Sequence, residues 1–371
     1  MIPHSRSSLA LLRVLCNAAL LSTTLATALG AQTMNNAHRN NAAALGNAPA
    51  DLNGAPALSD NVRYVAFASD ATNLTAGDTN GFTDVFVRDL VAGTTAMISL
   101  DTAGGPANEG SLRPAISGDG RYVAFQSSAT DLVAGDTNGL PDVFRCDRDT
   151  DADGIFDEPG FTAIVRVSVA TGGAQGNGPS RSYTWAISDD GNLVVFESEA
   201  TNLVGGDTNG DDDCFIRDVA AATTTRVSVG PGAIQANGPT GNPAISGDGS
   251  SVAFNGGTFP DNLVAGDTNL YGDVFVRRLP AGPTLRVSVA TGGAQSLTSA
   301  SYSPSISDDG NRVAFVSNSS DLVAFDNGER PDIFVRDITA GTTVRASLST
   351  GGYQGVVDNR SAAISGNGNF V

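Results

Sequence analysis

The chain alternates short apolar runs with clusters of Gly, Asp, Asn and Ser, and the same order of runs returns several times. One run, typified by Tyr-Val-Ala-Phe, follows a Ser-x-Asp-Gly cluster, and a second, typified by Asp-Val-Phe-Val-Arg, follows Gly-Asp-Thr-Asn-Gly. Short apolar runs rich in Val, Ile and Phe and bounded by turn-forming residues predict β-strands. The pattern therefore predicts an all-β protein.

The repeat recurs at intervals of about 60 residues, which is typical of proteins built from stacked modules. Its copies begin at Ser59, Ser117, Ser188, Ser246, Ser307 and Ser365. Each of the first five copies contains four β-rich runs, here called a to d, and the sixth copy stops at Val371. In the second copy the runs cover residues 114–117, 122–126, 142–145 and 163–169. Four strands per repeat predict a β-propeller of four-stranded blades, with five complete repeats and a truncated sixth.

The chain divides into three predicted regions. Residues 1–31 combine early basic residues, an apolar run and small residues near Ala31, as a secretory signal peptide does. Residues 32–54, rich in Asn and Ala, are predicted to be a disordered lead-in, and residues 55–371 form the propeller. We therefore expect a secreted or periplasmic protein with no membrane span after signal cleavage.

The repeat resembles the TolB-type, WD-repeat-like family of β-propellers. The motifs that carry the resemblance are PAISGDGRYVAF at 114–125 with PDVFRCD at 141–147, and PSISDDGNRVAF at 304–315 with PDIFVRD at 331–337. The resemblance covers residues 55–371 and implies the propeller fold and an extracytoplasmic location. The repeats are longer than the usual blade of that family, and no counterpart of the domain that precedes the TolB propeller is present, so the role of TolB itself is not implied.

Composition narrows the function. The net charge is −18 and all 21 basic residues are Arg, so cations or basic partners fit this surface better than nucleic acid does. The two His residues, His4 and His38, both precede the blades, which excludes His-dependent catalytic triads and His-bound metals from the repeats. We expect a monomer that binds a protein or a carbohydrate.

One insertion is the most specific candidate site. The second repeat is longer than the others because DRDTDADGIFDEPGF, residues 147–161, separates runs c and d. Asp149, Asp151, Asp153 and Asp157 stand at positions 1, 3, 5 and 9 of a loop with Gly154 at position 6. The loop resembles those of thrombospondin type 3 repeats and, more distantly, EF-hands, and it predicts a Ca²⁺ site. The alternative is a solvated acidic loop without an ion.

The Gly-Asp-Thr-Asn-Gly segments, here called the DTNG turns, are candidates of lower specificity. Each places carboxylates at positions 1 and 7, as Asp78 and Asp84 do, and Asp and Asn are common capping residues of turns. We interpret these segments as structural turns; the alternative is a cation site where more carboxylates gather, as at Asp211, Asp212 and Asp213. We interpret the regular Arg residues of runs c and d as partners in ion pairs between blades. Tyr183 and Trp185 offer either a stacking platform for a sugar or ordinary packing.

Two functions remain open at this point. The first is a secreted, calcium-stabilised propeller that acts as a binding or scaffold module. The second is an enzyme, either a glycosidase that uses two carboxylates or the propeller part of a larger hydrolase. Because the many Asp residues single out no such pair, the binding module is favoured.

The repeat also predicts which loops lie on each face of the propeller. The DTNG turns and the loops that lead from run d to run a share one face, the expected ligand face, and the acidic insertion lies on the other.

Overall fold

The computed structural model describes residues 38–48, 55–257, 261–326, 330–353, 358–359 and 361–371. The predicted signal peptide, residues 1–31, lies outside these residues. Within them the only helical element is a 3-10 turn at Pro231–Ala233, and no helix there is long and apolar enough to cross a membrane.

In the part of the chain that the structure describes, twenty strands form five antiparallel four-stranded sheets, which confirms the predicted all-β propeller of four-stranded blades. Blade 1 contains β1 (Ala57–Leu58), β2 (Tyr64–Ser69), β3 (Asp84–Asp89) and β4 (Thr94–Met97). Blade 2 contains β5 (Ser111–Ile116), β6 (Tyr122–Ser127), β7 (Asp142–Asp147) and β8 (Ala163–Arg166). Blade 3 contains β9 (Ser180–Arg181), β10 (Leu193–Ser198), β11 (Asp213–Asp218) and β12 (Thr223–Arg226). Blade 4 contains β13 (Gly241–Ile245), β14 (Ser251–Asn255), β15 (Val274–Arg278) and β16 (Thr284–Arg286). Blade 5 contains β17 (Ser301–Ile306), β18 (Arg312–Ser317), β19 (Asp332–Asp337) and β20 (Thr342–Arg345).

Pairs of phenylalanines hold the same register in every blade. In blade 3, Phe196 of β10 lies opposite Phe215 of β11, and the two rings stack with centroids 5.7 Å apart. The other four blades repeat this pair with centroids 5.8–5.9 Å apart. The second and third strands of each blade are apolar on both faces because each sheet is covered by its neighbours, which explains their near-continuous apolar runs.

Residues 38–48 differ from the predicted disordered lead-in, since they make defined contacts with blade 1. Arg39 and Leu45 form a β-bridge like the one between Val169 and Gln175 in the loop after β8. The Asn47 backbone N–H donates to Asn73 Oδ1 at 2.8 Å, and in the same way Asn177 donates to Asn202. Residues 38–48 are therefore a further copy of the loop that connects two blades, and the Gly-Asn pair is the signal for it.

The partial sixth repeat packs beside blade 5. Its turn closes with a hydrogen bond from the Ser365 N–H to the Phe370 carbonyl, as in the complete repeats. Asp308 of blade 5 donates its backbone N–H to Gly366 O at 2.8 Å, and Ile364 donates to Ser305 Oγ at 3.1 Å. These residues therefore continue the order of blades around the axis.

Candidate functional site

A cavity of about 480 Å³ lies where the innermost strands of the blades meet at the propeller axis. The ends of the first strands and the turns that follow them line it, because each blade points its first strand toward the axis. A volume of this size suits a small ligand or a few side chains of a partner. The expected ligand face was the opposite one, formed by the DTNG turns; the position of this cavity does not support that assignment.

Aspartate and glycine alternate around the axis. The residue after the first serine of each repeat is, in chain order, Asp60, Gly118, Asp189, Gly247, Asp308 and Gly366. Backbone hydrogen bonds link neighbouring blades at this level; for example, Asp60 N–H donates to Gly118 O at 3.0 Å and Asp189 N–H to Gly247 O at 2.9 Å.

The glycines make room for the aspartates. A Cβ at Gly118 would lie 2.5 Å from Asp60 Oδ2, and one at Gly247 would overlap the Asp189 carboxylate. Each aspartate side chain thus leans over the glycine of the next blade. Asp60, Asp189 and Asp308 all line the cavity, so three carboxylates come from alternate blades to one place.

The rest of the cavity wall combines aliphatic side chains with polar residues such as Thr184 and Asn367. The residue that precedes each first serine contributes an aliphatic side chain to the wall: Leu58, Ile116, Ile187, Ile245, Ile306 and Ile364. Trp185 also lines the cavity and is 38% exposed. The neighbouring Thr184 reaches across the axis, with its hydroxyl 3.5 Å from the Ala55 carbonyl of blade 1. Trp185 is therefore a cavity residue, while Tyr183 donates its hydroxyl to Glu197 and serves packing.

The carboxylates influence one another electrostatically. Burial is the main reason that the pKa of Asp189 is raised to about 6, and the negative charges of Asp60 and Asp308 add to the rise. Burial, followed by the charge of Asp60, also raises the pKa of Asp308. Among the described residues that line the cavity there is no Arg. The site therefore combines aliphatic side chains with three carboxylates that no arginine among the described lining residues offsets. This arrangement favours a positively charged ligand.

The sequence contains a signal for this axial site that did not enter the predictions above. The Ser-Asp and Ser-Gly openings alternate from one repeat to the next, although either residue fits a turn. The alternation becomes meaningful only when the blades are arranged around an axis, because only then do Asp60, Asp189 and Asp308 converge.

The structure brings together three of the four predicted calcium ligands. Carboxylate oxygens of Asp149, Asp151 and Asp153 lie within 4.8 Å of one another. Asp149 is buried and accepts hydrogen bonds from the backbone N–H groups of Asp153 and Gly154, each at 3.1 Å, so it shapes the loop. Slight desolvation, followed by the charge of Asp153, raises the pKa of Asp151. The first three carboxylates therefore fit a hard cation such as Ca²⁺.

The fourth predicted ligand, Asp157, faces an arginine instead. Its carboxylate pairs with Arg148, whose Nε lies 2.8 Å from Asp157 Oδ1 and whose side chain is 2% exposed. The guanidinium also contacts the ring faces of Tyr64 and Phe156 at 4.9 Å and 5.0 Å from their centroids. Arg148 Nη1 donates to Gly120 O in the turn after β5, which places the insertion beside that turn, on the predicted face.

The DTNG turns have a structural role in blades 2 to 5, in agreement with the interpretation of the sequence. In each of these blades one Arg on the fourth strand lies 3.3–3.6 Å from the carboxylates at positions 1 and 7 of the turn. The four groups are Arg166 with Asp136 and Asp142, Arg226 with Asp207 and Asp213, Arg286 with Asp267 and Asp273, and Arg345 with Asp326 and Asp332. The expectation of ion pairs between blades is wrong for these residues, since each Arg pairs within its own blade.

Three arginines of the third strands, Arg88, Arg217 and Arg336, reach the loop before their own blade and bind carbonyl oxygens there. Arg217 donates to Ala170 O at 3.4 Å and Arg336 to Ala290 O at 3.2 Å, both in the loop that precedes their own blade. Arg88 binds Arg39 O and Asn40 O in the corresponding loop before blade 1. These contacts join blades through hydrogen bonds rather than through ion pairs.

No known family model and no curated protein sequence matches the chain. Solved structures that resemble it include TolB from Acinetobacter baumannii, with 16% identity and a TM-score of 0.43 over 81% of this chain and 55% of that one. The putative TolB from Agrobacterium tumefaciens matches with 18% identity and a TM-score of 0.43 over 79% of each chain. An oligogalacturonate lyase from Vibrio parahaemolyticus matches with 13% identity and a TM-score of 0.44 over 84% of this chain and 66% of that one. The chain thus spans about half the length of the first of these proteins.

Proposed function

We propose that the protein is a secreted or periplasmic binding module that receives a basic, partly apolar segment of a protein partner in its axial cavity. The observation that carries this proposal is the convergence of Asp60, Asp189 and Asp308 on a cavity with aliphatic side chains in its wall and with no Arg among the described residues that line it. A Lys or Arg side chain would place its charge among the carboxylates and its methylene groups against the isoleucines. Trp185 would pack on the same segment.

The location of this function rests on the N-terminal sequence. Residues 1–31 resemble a secretory signal peptide, and the predominance of acidic residues gives the exported chain a field that attracts basic partners. The partner would associate faster at low ionic strength, because salt screens that field.

Trp185 allows a direct test, because it is the only tryptophan of the chain and lies in the cavity. An array of short basic peptides would first be screened for binding to the full chain. The best binder and its version with citrulline in place of arginine would then be titrated while Trp185 fluorescence is followed. We expect a saturable change with the arginine peptide and at least tenfold weaker binding with the neutral one.

Two variants make the test specific. Asp189→Asn combined with Asp308→Asn should weaken binding of the arginine peptide at least tenfold, and it should preserve the fold because it relieves repulsion between like charges. Glu109→Gln removes one charge from an exposed loop residue and should leave the affinity unchanged. Equal affinities for the two peptides, or an unchanged affinity in the double variant, would reject the axial site. Binding of neutral oligosaccharides alone would favour a carbohydrate partner instead.

We also propose that calcium orders the insertion of blade 2. The proposal rests on Asp149, Asp151 and Asp153, because Asp157 forms an ion pair with Arg148. Calcium here would have a structural role, because the loop lies apart from the residues that line the axial cavity. Backbone carbonyl groups and water would complete its coordination.

A further inference from the structure

The DTNG turn of blade 1 keeps its buried carboxylates but has lost the cation that accompanies them in the other blades. Asp78 and Asp84 occupy positions 1 and 7 of the turn, and their side chains belong to residues that are 6% and 0% exposed. In strand register, Met97 of β4 lies opposite Phe86, where the other blades place Arg166, Arg226, Arg286 and Arg345 opposite the equivalent phenylalanine. Blade 1 therefore holds two buried carboxylates without the arginine.

A second donor is missing at the same place. In blades 2 and 3 a glutamine amide from the following loop donates to the first carboxylate of the turn: Gln175 to Asp136 at 2.7 Å, and Gln235 to Asp207 at 2.8 Å. The β-bridge that places these glutamines places Pro106 at the equivalent position of blade 1. A proline side chain has no hydrogen-bond donor, so blade 1 lacks the guanidinium and the amide together.

The consequence is visible at Asp78. Both of its carboxylate oxygens are buried and have no hydrogen-bond partner among the described residues. Burial raises the pKa of Asp78, and the nearby backbone N–H of Asn80 opposes this rise only in part. Asp84, by contrast, accepts two hydrogen bonds: Ser99 Oγ donates to it at 2.6 Å and Asn80 Nδ2 at 3.0 Å. An ionised carboxylate that is buried without a partner is costly, so Asp78 requires a cation or a proton.

A cavity lies beside the residues that replace the missing donors. A cavity of about 580 Å³ is lined by Gly77, Met97 and Pro106, that is, by the neighbour of Asp78 and by the two residues that replace the missing donors. The cavity therefore borders the turn that holds Asp78.

We propose that blade 1 binds a divalent metal cation between Asp78 and Asp84, where the other blades hold the guanidinium of an arginine. Two carboxylates carry a charge of −2, which one divalent ion balances and which the single arginine of the other blades balances only in part. The ligands are oxygens, which favours Ca²⁺ over the softer transition metals. The calcium site proposed for the acidic insertion uses other carboxylates, Asp149, Asp151 and Asp153, so the two proposals can be tested separately.

The test uses the full chain with the acidic insertion disabled by Asp151→Asn and Asp153→Asn. In this background we expect calorimetry to detect one Ca²⁺ per chain and thermal unfolding to occur at a higher temperature in calcium than in chelator. Met97→Arg should remove both effects because it supplies the guanidinium that the other four blades carry. Met97→Leu, which leaves the site without a new charge, should retain both.

The outcome separates the ion from a proton. If the insertion-disabled chain binds no Ca²⁺ and its unfolding temperature is the same in calcium and in chelator, Asp78 is protonated and the proposal is wrong. Calcium binding that persists unchanged in Met97→Arg also overturns it, because the ion then lies elsewhere. Asp78→Asn provides an independent check: it should abolish binding and, since it removes a buried charge, should still fold.

Discussion

Blades 1 and 3 have the same strand register and a different charge balance. In both, the second and third strands pair through stacked phenylalanines, and a DTNG turn buries two carboxylates. Blade 3 provides its pair with the guanidinium of Arg226 and the amide of Gln235, whereas blade 1 has Met97 and Pro106 at the equivalent positions. The comparison teaches that backbone pairing and apolar packing define the blade, while the partner of the buried carboxylates can change from one repeat to another.

The strongest test of this difference is to place the methionine of blade 1 at the arginine position of blade 3. Arg226→Met should leave Asp207 and Asp213, whose side chains are 3% and 0% exposed, without their cation. Loss of one partner of a buried ion pair costs about 3 kcal/mol or more, because the remaining charge is uncompensated. Urea unfolding monitored by circular dichroism would measure the loss of stability.

The matched control is an arginine that pairs at the surface. Arg63 contacts Asp89 at 2.7 Å, but its side chain is 44% exposed, so Arg63→Met should cost less than about 1 kcal/mol. Equal destabilisation by the two substitutions would mean that burial of the DTNG carboxylates has no special cost. The contrast between blades 1 and 3 would then carry no energetic meaning.

The axial carboxylates are a third case in this comparison. They have no arginine partner among the described residues that line the cavity, and none of them is fully buried. The pKa of Asp189 in the folded state is about 6, above its ordinary value of 3.8, so the folded state binds more protons than the unfolded state between these values. Stability linked to this group is therefore greatest at low pH and falls as pH rises from about 4 to about 6. Solvent screening limits the change to roughly 1–2 kcal/mol.

Asp189→Asn isolates this contribution. Urea unfolding of the two proteins at a series of pH values should show the variant gaining on the wild type as pH rises through about 6, with a constant difference above that value. A difference that is independent of pH between 4 and 7 would show that the Asp189 carboxylate titrates in the folded protein as it does in the unfolded chain.

The acidic insertion is expected to give the smallest effect. At millimolar calcium, a site with the affinity typical of extracellular modules adds about 1 kcal/mol of stability. Asp151→Asn with Asp153→Asn should remove one calorimetrically detected Ca²⁺ and the calcium-dependent protection of residues 147–161 from proteolysis, with the blades still folded. No difference between calcium and chelator in wild-type protection of this loop would identify it as a solvated acidic loop.

Several residues show why the site was harder to predict than the fold. The pairing of Asp157 with Arg148 was not predicted, because the spacing of four aspartates indicates a calcium loop equally well whether or not an arginine folds back on the last one. The strand order places the Arg of the fourth strand next to the carboxylates of its own blade, so Arg166 and its equivalents pair within a blade. The Gly-Asn-Ala segment at 46–48 matches the loops between blades, yet its few apolar residues favoured disorder.

The sequence by itself determined the repeat, the four strands of each blade and the all-β class, because these depend on local apolar runs and turn residues that lie close together in the chain. It also determined which residues could carry charge chemistry. Only the tertiary structure decided which of them meet: Asp60, Asp189 and Asp308 are far apart in sequence and converge because the blades surround one axis. Likewise, Met97 and Pro106 became informative when strand register placed them where other blades hold the donors to the turn carboxylates, since a missing donor matters only where a carboxylate is buried.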